Sequence, residues 1–174
     1  MAIIFLHNRH FSYTHLIRKR DTIIKHFIKY WLPAIIWMGT IFLMSTGMFS
    51  SENTSRFIVP ILNYLFPELA PHHMYMIHGM IRKAGHITEY FILGILLFHA
   101  FRSSSIQKWR LRWTIYAIIG VVFYAMSDEF HQTFVISRTG SLVDVCIDSV
   151  GGILSQLAII LRWKIMKKIL TYRS

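Results

Sequence analysis

The sequence predicts an all-α integral membrane protein, a bundle of four transmembrane helices with an N-terminal interfacial amphipathic helix. Three observations predict it. Hydrophobic residues make up 54% of the 174-residue chain and charged residues only 16%, too apolar a balance for an ordinary soluble domain. The apolar residues fall into long runs almost free of charge. Those runs alternate with connections in which lysine and arginine collect at every second interval.

Residues 1–29 carry Arg9, Arg18, Lys19, Arg20, Lys25 and Lys29, while Leu16, Ile23, Ile24, Phe27 and Trp31 recur at helical spacing. That pattern predicts a helix lying in the cytoplasmic interface. Tyr30 to Ser51 is 22 residues without a charge, and about 20 residues cross a hydrocarbon core of about 30 Å. The first span is therefore about 30–51, with Pro33 in its first turn, where a missing N–H costs little. Residues 50–83 form an outer connection, whose apolar segment from Arg56 to Pro67 is too short to cross and reads as interfacial or re-entrant. The second span is about 84–101, with His86 and Glu89 in its opening turns. A basic link leads to a third span of about 113–130, which takes in Asp128-Glu129 near its end. A loop with Arg138 and Gly140 precedes the fourth span, about 142–161. One domain is expected, with a basic N-terminal segment (1–29), a transmembrane domain (30–161) and a basic tail (162–174).

The three segments 1–29, 102–112 and 162–174 hold six, four and five of the 19 lysines and arginines. The alternate connections hold the other four: Arg56, Arg82, Lys83 and Arg138. Basic segments stay in the cytoplasm, which predicts a multi-pass protein of the bacterial cytoplasmic (inner) membrane with both termini inside. The formal net charge of +11 is explained by the same asymmetry. Nucleic acid is not an expected partner: no phosphate-binding glycine loop, zinc-finger spacing or basic patch interleaved with exposed aromatics is present. The single cysteine, Cys146, excludes an intrachain disulfide and CxxC chemistry; in an apolar stretch it reads as a small core residue. The apolar run from Ala2 to Leu6 is too short for a cleaved signal peptide.

Ionisable side chains gather at the predicted outer ends of three spans. Lys83, His86 and Tyr90 share one helical face with Glu89 at its flank. Asp128, Glu129, His131 and Gln132 close the third span, and Arg138, Asp144 and Asp148 follow. Ser141-Leu142-Val143-Asp144 matches a capping box, so Asp144 has a structural reading as a helix cap. Lys83 and Arg138 have one as headgroup or carboxylate partners, and His131 as an interfacial histidine. Glu89, Glu129 and Asp148 are harder to explain structurally. A carboxylate at the centre of a span costs roughly 2.5–3.5 kcal/mol on insertion scales. Ser149, Gly151, Gly152 and Ser155 are small residues that permit close helix approach.

These residues resemble the VanZ-like family of bacterial membrane proteins, named for a member associated with teicoplanin resistance. The matching stretches are Arg82-Lys83-Ala84-Gly85-His86 through Glu89-Tyr90 to Gly94, Ser127-Asp128-Glu129-Phe130-His131-Gln132 to Val135, Arg138-Thr139-Gly140-Ser141, and Asp144 through Asp148 to Gly151-Gly152. Ser45 to Asn53 is similar to the family as well. The family often has Asn at the position of Asp148. The resemblance implies a multi-pass membrane protein linked to glycopeptide susceptibility and carries no established reaction.

Three functions compete. The first is a non-enzymatic binder at the outer membrane face, holding an envelope lipid or glycan headgroup, a cell-wall precursor headgroup or an amphiphilic antibiotic through Lys83, His86, Glu89, Tyr90, Asp128, Glu129, Gln132, Arg138, Asp144 and Asp148. The second is an enzyme on a lipid-linked substrate, using a carboxylate/His site. For a metal the candidate ligands are His86, Glu89, Asp128 and Glu129, but His-x-x-Glu is a common pattern and no nucleophile motif accompanies it. The third is a small transporter, which with four spans requires an oligomer. The bilayer is the expected partner, no cofactor is expected, and the balance leans away from an enzyme.

The charge asymmetry makes a testable prediction. In a background lacking Cys146, single cysteines at Ala70 or Ile136 react with an impermeant thiol reagent applied to intact cells (spheroplasts where an outer membrane intervenes). Cysteines at Ile106 or Leu170 stay protected. Labelling of the second pair alone reverses the topology.

Overall fold

A computed structural model describes residues 20–47, 50–136, 138 and 140–172. Among these residues the chain forms six helices and no strand: α1 (Arg20–Tyr30), α2 (Leu32–Met44), α3 (Ser51–Leu65), α4 (Pro71–Arg102), α5 (Leu111–Gln132) and α6 (Leu142–Thr171). The expected amphipathic helix over residues 1–29 lies outside the described residues as far as Lys19. From Arg20 the chain is helical, with Ile23, Ile24, Phe27 and Ile28 exposed.

The first apolar run is not one straight helix. α1 and α2 meet at Trp31 with a bend of 44°. Pro33 sits in the first turn of α2; it offers no N–H to the preceding turn and its ring crowds the carbonyl there, which bends the chain. α2 ends at Met44, short of the expected Ser51, because Ser45, Thr46 and Gly47 form a turn. Ser50 then caps α3, its hydroxyl accepting the Asn53 N–H at 3.4 Å, and the Asn53 side chain ties back to the Gly47 carbonyl at 2.9 Å. The apolar segment after it is indeed a short helix, with Leu62 buried and Phe57, Ile61 and Tyr64 exposed.

α4 starts at Pro71 rather than Ala84, so the Lys83–Tyr90 patch lies in the middle of a 32-residue helix and not in its opening turns. At 1.5 Å per residue α4 is about 48 Å long, well beyond a hydrocarbon core of about 30 Å. α5 runs from Leu111 to Gln132, close to its expected bounds. α6 continues through Thr171, so the basic residues from Arg162 to Lys168 lie on the last turns of that helix. By length and composition α4 and α6 each suffice to cross a membrane, and α1 with α2 suffices as a bent pair. α5 falls short of that standard: Arg112, Thr114, Tyr116 and Tyr124 dilute it, and Asp128-Glu129 sit near its end. Among the described residues, two candidate spans, or three with the bent pair, stand against the four expected. Only a third of the most apolar stretch of α4 or of α6 is buried inside the protein. Their remaining surface shows side chains such as Met80, Leu154 and Leu161, a surface suited to lipid.

α6 packs chiefly on α4 and then on α5, while α2 and α3 lean on α4. Small residues allow this. A side chain at Gly151 would strike the Ile87 carbonyl of α4, one at Gly94 would strike Ser155, and one at Gly152 would meet Val121 of α5 at 2.6 Å. Tyr90, Leu93 and Phe98 of α4 fill the core with Ile41, Trp113 and Val121. Cys146 contradicts its core reading. It is exposed, because the stripe through Val145, Asp148 and Gly152 that faces the bundle leaves it on the opposite side.

Gly151→Val is therefore expected to lower stability by about 1–3 kcal/mol through forced separation of α4 and α6. Gly39→Ala, where an added Cβ meets nothing within 4 Å, is expected to be neutral or to stabilise by up to about 1 kcal/mol. Thermal unfolding of both variants in detergent measures the contrast, and equal midpoints contradict this account of the packing.

Candidate functional site

The close approach at Gly151 carries Asp148, one turn earlier on α6, into the α4 surface. Its carboxylate is fully buried, and Oδ1 lies 3.4 Å from Nδ1 of His86. From α4, Glu89 stands within electrostatic range of His86, Asp148, Asp128 and Arg138, and Tyr90 within range of Asp128, Asp148 and Glu129. α5 contributes Asp128, Glu129 and Gln132 from its last turns, all less than 5% exposed. Gln132 donates to Asp128 Oδ2 at 3.1 Å, the i, i+4 reach of a helix.

The loop between α5 and α6 closes the cluster. Gly140 packs so tightly on α5 that a Cβ there would lie 2.5 Å from the Glu129 carbonyl. Ser141 caps α6 by accepting the Val143 N–H at 3.2 Å. The capping box expected with Asp144 is not completed by Asp144. Glu129, from α5, accepts the Ser141 N–H at 2.8 Å instead, which ties the two helix ends together and releases Asp144 to line a cavity. Arg138 reaches across to α2, donating from Nη2 to the Met44 carbonyl at 2.8 Å, one of the carbonyls a helix end leaves without an internal partner. Burial pulls the Arg138 guanidinium below its ordinary value, with Arg82 acting the same way, while Asp128, Glu129 and Glu89 oppose both. α2 is fixed at the same level by Trp37, whose indole donates to the Glu89 carbonyl at 2.9 Å, and by Tyr124, whose hydroxyl donates to the Met38 carbonyl.

Thus the polar residues of the three segments meet where the last turns of α5 and the first turns of α6 pack on the middle of α4. Two cavities open beside them. One of about 130 Å³ is lined by Arg82, Lys83, His86, Asp144 and Asp148; Lys83 itself is exposed at its edge. The other, of about 310 Å³, is mainly apolar and holds Glu129 between Phe130 and Val145. His131 is set apart, half-buried with its ring 4.4 Å from that of Phe42. Sequence reasoning left out Arg82, although it stands four residues before His86 on the same helical face. It also passed over Trp37, whose role depends on a contact 52 residues away.

Chemically, the cluster is rich in acceptors. Among the described residues, Asp128 Oδ1, Glu129 Oε1, both oxygens of Asp148 and the Tyr90 hydroxyl are buried with no hydrogen-bond partner. Buried oxygens of this kind are costly unless a proton or a donor reaches them. No three His, Cys, Asp or Glu side chains among the described residues are arranged to hold a metal ion, so the metal candidates His86, Glu89, Asp128 and Glu129 do not form a coordination set. The groups present instead suit a ligand that brings its own N–H donors, with Arg82 and Lys83 beside it for an anionic part.

His86→Ala leaves Asp148 without its basic neighbour and is expected to cost roughly 1–3 kcal/mol. The double variant His86→Ala/Asp148→Asn recovers part of that loss, giving a coupling of about 0.5–3 kcal/mol. Thermal unfolding of the two single variants and the double variant closes the cycle, and strictly additive losses show that the pair does not interact.

Comparison with curated proteins and with solved structures finds no match. A family model described as VanZ/LLP1 matches residues 30–163, a stretch that takes in α2 to α5, most of α6 and every residue of the cluster. The chain belongs to the VanZ/LLP1 family.

Proposed function

We propose that the protein crosses the bacterial cytoplasmic membrane four times, with both termini in the cytoplasm, and binds a headgroup at the outer face. In this reading α5 is the remaining span, tolerated despite its polar residues because Asp128, Glu129 and Gln132 face other helices. The ligand is the zwitterionic headgroup of an envelope lipid or lipid-linked cell-wall precursor, and holding it alters susceptibility to envelope antibiotics, glycopeptides among them.

One observation carries this reading. A single small cavity combines the fully buried Asp148, whose Oδ1 faces His86 at 3.4 Å and whose Oδ2 accepts no hydrogen bond, with Asp144 and the cationic Arg82 and Lys83. An amine answers the carboxylates and a phosphate or carboxylate answers the cations. Size supports a headgroup: at about 30 Å³ for each water in the liquid, the cavity of about 130 Å³ suits a few polar atoms and excludes a whole glycopeptide. A second reading, an acid–base site acting on the same headgroup, draws support from the His86–Asp148 pair at 3.4 Å.

Complementation of a deletion strain tests the proposal. Arg82→Gln and Asp144→Asn alter partly exposed cavity residues, so folded yield and unfolding midpoint are expected to stay near those of the wild type. Loss of a charged hydrogen bond lowers headgroup affinity roughly tenfold or more, and both variants are expected to fail to restore teicoplanin tolerance or the envelope-lipid profile. Full complementation by both sinks the headgroup site. Accumulation of an unprocessed lipid-linked precursor in the deletion strain favours the enzymatic reading over simple binding.

A further inference from the structure

At the other end of the bundle lies a larger cavity, of about 400 Å³, between α4 and α6. Four basic side chains line it: His99 and Arg102 at the end of α4, Lys108 from the following connection and Arg162 of α6. Among the described residues no carboxylate lines it. Its remaining wall is apolar, from Ile95, Phe98 and Ile159 toward the middle of the helices to Trp163 and Met166 beyond. Arg102 is held in place by the connection, donating from Nε to the Gln107 carbonyl at 3.0 Å and from Nη2 to the Ser105 carbonyl at 3.4 Å. His99, Lys108 and Arg162 are exposed. Beside the cavity Trp109 and Trp163 stack, with ring centroids 5.0 Å apart, and tryptophan is enriched at membrane–water interfaces.

A basic mouth above an apolar groove, at the level of interfacial tryptophans, has the polarity of an anionic phospholipid. We infer that this cavity binds one such lipid, its phosphate among Arg102, Lys108 and Arg162 and an acyl chain along Ile95, Phe98 and Ile159. Basic pockets between membrane helices favour anionic headgroups over zwitterionic ones by charge alone, at about 1 kcal/mol for each lysine or arginine, or about fivefold in affinity. Arg102 is preset by the two loop carbonyls, so less order is lost when the phosphate arrives. The bound lipid lies across α4 and α6 and reinforces the helix pair whose spacing sets the polar cluster. This site does not depend on the headgroup reading of the other end.

Dioleoylphosphatidylglycerol, dioleoylphosphatidylcholine and inorganic phosphate, each titrated into the full-length protein in detergent, test the inference through the thermal unfolding midpoint. Phosphatidylglycerol is expected to raise the midpoint at concentrations where the other two do not. Lys108→Ala and Arg162→Ala are each expected to weaken that effect about fivefold. The double variant Lys164→Ala/Lys168→Ala removes two charges from outside the cavity and is expected to keep it. Equal stabilisation by phosphatidylcholine overturns the inference, as does the same shift with inorganic phosphate, which makes the site one for a free anion. Equal loss in the Lys164→Ala/Lys168→Ala protein also overturns it, by showing a diffuse charge effect.

Discussion

The missing side chain at Gly151 sets the distance between α4 and α6, and the polar cluster depends on that distance. With a Cβ at this position the α6 backbone strikes the Ile87 carbonyl and must retreat. Asp148, one turn away, then loses its place beside His86. The same contact sets the fit of Gly94 against Ser155, and of Gln156, whose amide donates to the Gly94 carbonyl at 3.0 Å. In a lipid-facing bundle the apolar effect gives little reason for one helix to prefer another to the bilayer. Close packing and polar links between helices carry the association. Here both run along the same seam, so the architecture and the site are built from one set of contacts.

That economy explains how several carboxylates are tolerated together. Each alone costs a few kcal/mol at membrane depth. In this arrangement Glu129 serves the N-terminus of α6 through the Ser141 N–H, a favourable place for negative charge. Asp128 takes a bond from Gln132, and Asp148 has His86. Arg138 lies within range of three of the acids and also closes the end of α2. Each group thereby answers part of another's need. The oxygens still lacking donors are concentrated on Asp148, Glu129, Asp128 and Tyr90.

Much of this was legible in the sequence because the signals are local. The apolar runs mark α5 and the start of α6 to within a few residues, and Pro33 marks the start of α2. The small residues Ser149, Gly151, Gly152 and Ser155 also announce close helix approach; Gly151, Gly152 and Ser155 are buried and Ser149 is half-buried. What was not legible depends on distinctions hydropathy cannot make. Polarity at Lys83 marks where an apolar stretch ends, not where a helix does, so α4 was expected to begin at Ala84 although its helix reaches back to Pro71. The same confusion cut α6 at Leu161. The capping box failed for another reason. The sequence places Asp144 where such a box needs its acid, but the folded chain offers Ser141 a better acceptor 12 residues away, on a different helix. Only the packing of α5 on α6 decides between them.

The seam between α4 and α6 carries opposite chemistry at its two ends. Near Asp148 the pair presents acids with a cationic rim; near Arg162 it presents cations without an acid. Basic residues at that second end are usually explained by topology alone, since positive segments resist export. Topology, however, needs only the charges on the correct side, and Lys164 and Lys168, outside the cavity, already meet that need. It does not require Arg102 to be held by two loop carbonyls, or a groove of apolar side chains to open beneath the cations. Those features constrain geometry as well as sign, and geometry is what a bound phosphate reads. The two ends share a helix pair with little room to slide, because Gly94 and Gly151 admit no side chain between α4 and α6.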